Sequence, residues 1–149
     1  MERIELWTDG SAGPTNPGPG GWAVTTETEP LLYGHAVWTT NNYMEGYAIL
    51  AALQWAAGRP VRIHTDSQHW KNSITEWTPK WARNGWRKSN GEPVANLPLV
   101  QTLNTWWTNA AGGSEIVWVR GHNGNPGNML ADVWAGRART ERLICGRNN

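Results

Sequence analysis

The sequence predicts an α/β fold, a mixed sheet with helices packed on it, and the order of its patterns carries that prediction. Alternating apolar and polar residues fill three early stretches separated by turn residues. A long helical pattern follows, after which strand and helix signals alternate to the end. Strands first, then alternation, give a sheet with helices covering it.

Taken in order, Ile4, Leu6 and Thr8 alternate with Glu5, Trp7 and Asp9, so 4–9 reads as a strand. The run GSAGPTNPGPGG at 10–21 reads as a Gly/Pro turn region. Strands at about 21–27 and 31–39 make an antiparallel hairpin and meander with it. Residues 44–58 read as a helix, since Tyr47, Leu50, Ala51 and Leu53 fall at helical spacing and Gly58-Arg59-Pro60 stops them. Val61, Ile63 and Thr65 alternate with Arg62, His64 and Asp66 as a fourth strand. A helix at 67–77 is expected to break at Thr78-Pro79, leaving 79–93 as a polar, basic, Trp-bearing segment. A helix at 96–109 holds Pro98 in its first turn, and 116–120 is a short fifth strand. A Gly/Asn/Pro loop at 121–127 leads to a last helix at 128–143, and the GRNN end is expected to fray.

Length and composition set the class. The chain of 149 residues, 39% hydrophobic and 17% charged, reads as one domain spanning 1–149. No apolar run approaches the ~20 residues of a membrane span, and MERIELW is no signal-peptide core, so a cytoplasmic protein without membrane association is expected. Cys145 is the single cysteine, which excludes an internal disulfide framework and fits a reducing compartment. Twelve Trp stand with no Phe, so some of them must fill the core. Residues 1–66 carry three basic against seven acidic side chains, a balance of −4; residues 67–149 carry ten against five, a balance of +5. An acidic centre beside a basic periphery suits a metal-dependent enzyme acting on a polyanion.

Four acids supply that centre: Asp9 in WTDGS, Glu45 in TTNNYME, Asp66 in IHTDSQ and Asp132 in GHNGNPGNMLAD. Asp9 and Asp66 end predicted strands, Glu45 begins the first helix, and Asp132 lies about one turn into the last. Any one of them alone would ordinarily be a cap or turn residue. Brought together they repel, and burial is costly unless a cation neutralises them. Oxygen ligands with no nearby Cys or His cluster suit Mg²⁺ or Mn²⁺ rather than zinc.

TDGS (8–11), NPGPGGW (16–22), TTNNYME (39–45), TDSQ (65–68) and GHNGNPGN…AD (121–132) together resemble type 1 ribonuclease H, in that family's order and over nearly the whole chain. WTPKWARNGW (77–86) is similar to its basic handle. The resemblance implies a ribonuclease H-like fold: a five-stranded mixed sheet, its first three strands antiparallel, with helices on both faces. It implies cleavage of the RNA strand of RNA–DNA hybrids with two Mg²⁺ ions, Mn²⁺ a possible substitute, leaving 3′-hydroxyl and 5′-phosphate ends. Asp9 would bridge the metals, Glu45 and Asp66 would hold the one on the leaving-group side, and Asp132 the one that activates water. His122 resembles a mobile His that aids proton transfer or product release.

For substrate, backbone groups of the Gly10–Ser11 turn with the side chains of Asn41 and Gln68 are placed for minor-groove contact, where the 2′-hydroxyl marks RNA, and Asn16 and Asn42 are counted among the substrate-binding residues. Thr40 resembles a residue of a DNA-phosphate pocket, while Asn41 and Asn42 read equally well as turn formers. Lys80, Arg83, Arg87 and Lys88 alternate with Trp77, Trp81 and Trp86, so cations can hold phosphates while rings pack on sugars or bases; Trp86 also reads as a pin for the loop. Trp38 stands where relatives often carry Arg, and Met129 where they often carry Glu. A monomer without a separate hybrid-binding domain is expected. Two other readings stay open: a non-catalytic hybrid- or RNA-binding module, and a DNA nuclease or integrase-like strand transferase of the same superfold.

Overall fold

The computed structural model describes residues 3–110, 112–121 and 123–144. His122, Cys145 and the 146–149 end lie outside the described residues. The strands are β1 (Ile4–Ala12), β2 (Gly18–Thr25), β3 (Pro30–Thr39), β4 (Val61–Thr65) and β5 (Glu115–Trp118). They form one sheet in the order β3-β2-β1-β4-β5. β1–β2 and β2–β3 pair antiparallel, whereas β1–β4 and β4–β5 pair parallel, as the order of patterns predicts.

The run at 10–21 is not a turn from end to end. β1 continues through Gly10, Ser11 and Ala12, which pair with Trp22, Gly21 and Gly20. These glycines serve the approach of helices to the sheet. A Cβ on Gly10 would lie 2.3 Å from the Glu45 nitrogen, and one on Gly21 would lie 2.3 Å from the Ala135 oxygen. Only a bare backbone admits such contacts. Gly20 meets Met44 while its neighbour Gly21 meets Ala135 and Ala138. Successive strand residues point to opposite faces, so α1 (Asn41–Ala56) and α5 (Pro126–Glu141) cover opposite faces of the sheet.

Caps move both helices earlier than their apolar spacing suggests. The Thr40 side chain accepts from the Tyr43 nitrogen at 3.0 Å, so α1 starts at Asn41 and Glu45 sits in its second turn. The Asn125 side chain accepts from the Asn128 nitrogen at 2.9 Å, which starts α5 at Pro126 and puts Asp132 nearly two turns in.

Thr78-Pro79 does not break the helix after β4. Helix α2 (Gln68–Asn72) passes through a π-helical turn at Ser73–Trp77 into α3 (Thr78–Arg83). The Thr78 N–H reaches back to the Ser73 oxygen, and the Thr78 hydroxyl donates to the same oxygen at 2.6 Å. This widened turn accommodates Pro79, which lacks an N–H and crowds the carbonyl a turn back. Helix α4 (Leu97–Thr108) carries Pro98 in its first turn as expected.

The core lies between the sheet and the α1–α4 layer, with Leu6, Val24, Ile49, Leu53, Ile63 and Leu103 buried in it. Trp70 is its one fully buried indole among the described residues, and its Nε1 donates to the Asn42 oxygen at 2.7 Å. Truncating a buried Trp typically costs ~3–5 kcal/mol, so this contact ties α2 firmly to the start of α1. Most other described indoles are only partly covered. Among the described residues, no helix is long and apolar enough to cross a membrane.

Candidate metal centre

Strand register brings the first two acids together. Thr8 pairs with Thr65 across the parallel β1–β4 ladder, so Asp9 and Asp66 follow side by side. Asp9 stands in the middle of β1 rather than at its end, and Asp66 is the first residue past β4. Glu45 joins from α1 because Gly10 lets that helix touch the strand. Oxygens of Asp9, Glu45 and Asp66 all lie within 4.8 Å of one another. Asp132 arrives from α5 on the opposite face and shares a side-chain hydrogen bond with Asp9. All four acids singled out in the sequence therefore meet at one place.

The cost of that meeting shows in their protonation. Burial, then the charge of Asp66, then contact with Asp132 hold the Asp9 carboxyl well above the usual carboxylate range. The Gly10 N–H, donating to Asp9 Oδ1 at 2.9 Å, offsets only part of this. Burial and Asp66 push Glu45 up to about 8. None of the ion pairs among the described residues reaches Asp9, Glu45 or Asp132. Asp9 and Glu45 therefore hold on to protons where a cation would serve better. Hard carboxylate oxygens gathered this closely fit Mg²⁺ or Mn²⁺.

Around this centre the predicted substrate residues divide. Gly10 and Ser11 belong to β1, not to a turn, because the ladder with β2 runs through both. The Ser11 hydroxyl accepts from Arg139 Nε at 3.1 Å, a partner that only the fold could reveal. Asn41 Oδ1 accepts from the Ala12 nitrogen, and the Asn41 N–H donates to Asn16 Oδ1 at 3.1 Å. With Thr40 as cap and the Asn42 carbonyl bonded to Trp70, this segment locks β1 to the start of α1. Asn16 and Gln68 are exposed, Gln68 as the first residue of α2.

The basic, Trp-bearing segment is helical as far as Arg83. Trp77, Lys80, Trp81 and Arg87 line a groove of ≈ 400 Å³ with Asn84 and Ser89. The Trp77 and Trp81 rings lie 6.0 Å apart. Arg83 is exposed on α3. Lys88, through its charge, joins burial in lowering the His69 pKa. Trp86 acts as the expected pin: it packs against the core and its nitrogen donates to the Trp81 oxygen at 2.7 Å. It holds φ at 64°, a strained value for a large side chain. Trp38 is exposed at the end of β3, and Met129 on the first turn of α5.

The RNase H family model matches residues 1–140. The chain belongs to the ribonuclease H family. It is 47% identical to the Ribonuclease H of Granulibacter bethesdensis over 145 residues, covering 93% of each chain. Its fold is also that of LC9-RNase H1, described as a type 1 RNase H with the type 2 active-site motif: TM-score 0.77, 24% identity, 98% of this chain and 77% of that one covered. The foamy viral protease-reverse transcriptase, solved in complex with an RNA/DNA hybrid, shares the fold at TM-score 0.77 and 21% identity. That match covers 95% of this chain and 21% of the viral one. As a ribonuclease H the protein is an endoribonuclease, a hydrolase, and not a binding module alone.

Proposed function

We propose that this ribonuclease H hydrolyses the RNA strand of RNA–DNA hybrids within one catalytic domain, leaving 3′-hydroxyl and 5′-phosphate ends. The observation that carries the reading is the convergence of Asp9, Glu45 and Asp66 within 4.8 Å, with Asp132 bonded to Asp9. Asp9, Glu45, Asp66 and Asp132 would hold two divalent cations, Mg²⁺ or Mn²⁺ in its place, which when bound supply Lewis acidity to water and to the leaving oxygen. The chain's own residues do the rest. Asp9 stays central because β1 and β4 hold it rigidly in register. Asn16, Asn41, Asn42 and Gln68 would read the minor groove and its 2′-hydroxyls, with Gly10 and Ser11 offering backbone groups beside them. Thr40 would face a DNA phosphate, and His122 would handle a proton near the scissile bond. Positioning and charge neutralisation carry most of such a reaction.

A labelled hybrid, duplex RNA and duplex DNA, each incubated with Mg²⁺ or with EDTA, test the proposal. The expected result is cleavage confined to the RNA strand of the hybrid and abolished by EDTA. Hybrid binding without cation-dependent cleavage, or preferred cleavage of duplex DNA, overturns it.

The basic segment would grip the DNA strand of the hybrid, with Trp77 and Trp81 lining its path and Lys80, Arg83, Arg87 and Lys88 holding phosphates. Each phosphate contact contributes ~0.7–0.9 to the slope of log K against log salt. Neutralising Arg83, Arg87 and Lys88 together is therefore expected to flatten that slope by about two. Anisotropy titrations of a hybrid across a salt series measure it, and an unchanged slope removes this segment from the interface.

A further inference from the structure

Of the four carboxylates, Asp66 is the one with no regular element of its own. It follows the last residue of β4 and precedes α2, so its direction must be set from outside. The chain leaving β5 does this at three points. The Val119 N–H donates to the Thr65 oxygen at 2.9 Å, fixing the peptide plane before Asp66. The indole Nε1 of Trp118 donates to the Asp66 main-chain oxygen at 3.2 Å, fixing the plane after it. With both flanking planes tied, the two soft dihedrals of Asp66 are tied as well, and so is the direction of its Cβ. On the far side of the carboxylate, a Cβ added to Gly121 would lie 3.0 Å from Asp66 Oδ2. The φ of Gly121 is not in the left-handed region, so a Cβ there would act by pressing on the Asp66 carboxylate rather than by straining the backbone.

We propose that Trp118 is a positioning residue for cation binding: its indole N–H, together with the bare backbone of Gly121, aims the Asp66 carboxylate into the metal centre. Trp118 is 40% exposed, so packing alone does not explain its placement at the end of β5. The hydrogen bond explains more. Outer partners of metal ligands of this kind commonly change affinity tenfold or more when removed. The inference rests on reading the four carboxylates as the metal centre.

The test uses the full chain with Trp118→Phe, which keeps an aromatic side chain but deletes the indole N–H, and Gly121→Ala, which crowds the carboxylate. Calorimetric titration with Mn²⁺ alone, without nucleic acid, reads cation affinity. Hybrid cleavage across a Mg²⁺ series reads kcat and KM, and melting in EDTA reads the fold. Trp118→Phe is expected to weaken Mn²⁺ binding by roughly tenfold and to move the Mg²⁺ midpoint of kcat by the same factor. Excess Mg²⁺ restores its kcat, while KM for the hybrid and the melting temperature in EDTA stay at the parent values. Gly121→Ala is expected to shift Mn²⁺ affinity in the same direction by at least as much. Wild-type Mn²⁺ affinity in Trp118→Phe overturns the proposal, as does a loss matched by a lower melting temperature and not restored by Mg²⁺. Asp66→Asn separates the two readings. If it keeps cation affinity and cleavage, the metal-centre assignment falls; if it loses both while Trp118→Phe behaves as wild type, the Trp118 assignment alone falls.

Discussion

Asp9→Asn is expected to abolish cleavage, by about a thousandfold or more, while hybrid binding and the fold survive. Asp9 meets both sides of the centre: it feels Asp66 just past β4 and bonds to Asp132 from α5. Asn fills the same volume but carries no anion, so a cation held there loses its central ligand. The same change removes a buried carboxyl whose protonation burial and two neighbouring acids already distort. Its amide can donate to Asp132, which the ionised carboxylate cannot. The variant should therefore melt a few degrees higher than the parent in EDTA, since 1 kcal/mol corresponds to roughly 2–4 °C at this size. Single-turnover cleavage of a labelled hybrid and melting in EDTA check both halves. Near-normal turnover in Mg²⁺ would remove Asp9 from the site, and the metal assignment with it.

The four acids were legible in the sequence because each sits in a short motif that keeps its spacing whatever the tertiary structure does. Their convergence was readable only through the ordered set of motifs. Sequence reading erred where one residue type serves two physical ends. Glycines at 10, 20 and 21 resemble turn formers, yet they lie in strands and give α1 and α5 contact with the sheet. Local propensity cannot distinguish these uses, since both need a missing Cβ. Thr78-Pro79 misled for a similar reason: a proline breaks an α-helical register, but the π turn before it had already changed that register. Asn41 reads equally as a substrate contact or a turn former, and its hydrogen bond to the Ala12 nitrogen shows at least the local role; Thr40, read only as a phosphate-pocket residue, also caps α1. Trp118 and Arg139 carried no local signal. Their partners, Asp66 and Ser11, lie far away in the chain and become neighbours only through the parallel β4–β5 pair and the packing of α5 on β1.

Without divalent cations, the protein is expected to lose stability as pH rises through the neutral range, and Mg²⁺ is expected to cancel that loss. The Glu45 carboxyl, raised by burial and by Asp66, titrates in the folded protein at about 8 against an ordinary 4.5. The folded state thus keeps a proton that the unfolded chain has already released. Stability from this source is fully present below about 4.5 and is lost as pH climbs through about 8. Asp9 shifts in the same direction. His69, lowered by burial and by Lys88, works oppositely, destabilising the fold only as pH falls below its ordinary 6.5. Between pH 6.5 and 9 the acids therefore dominate, and Glu45 alone contributes a loss of roughly 2 kcal/mol. In melting temperature that is roughly 5 °C, read by calorimetry in EDTA. A bound divalent cation favours the ionised acids, so Mg²⁺ should raise the melting temperature more at pH 9 than at 6.5 and flatten the profile. Glu45→Gln should flatten it without any cation. A level profile in EDTA for the parent protein would mean that the acids are not crowded and buried as the β1–β4 register and the Gly10 contact place them, and the case for a cation among them would lose its electrostatic basis.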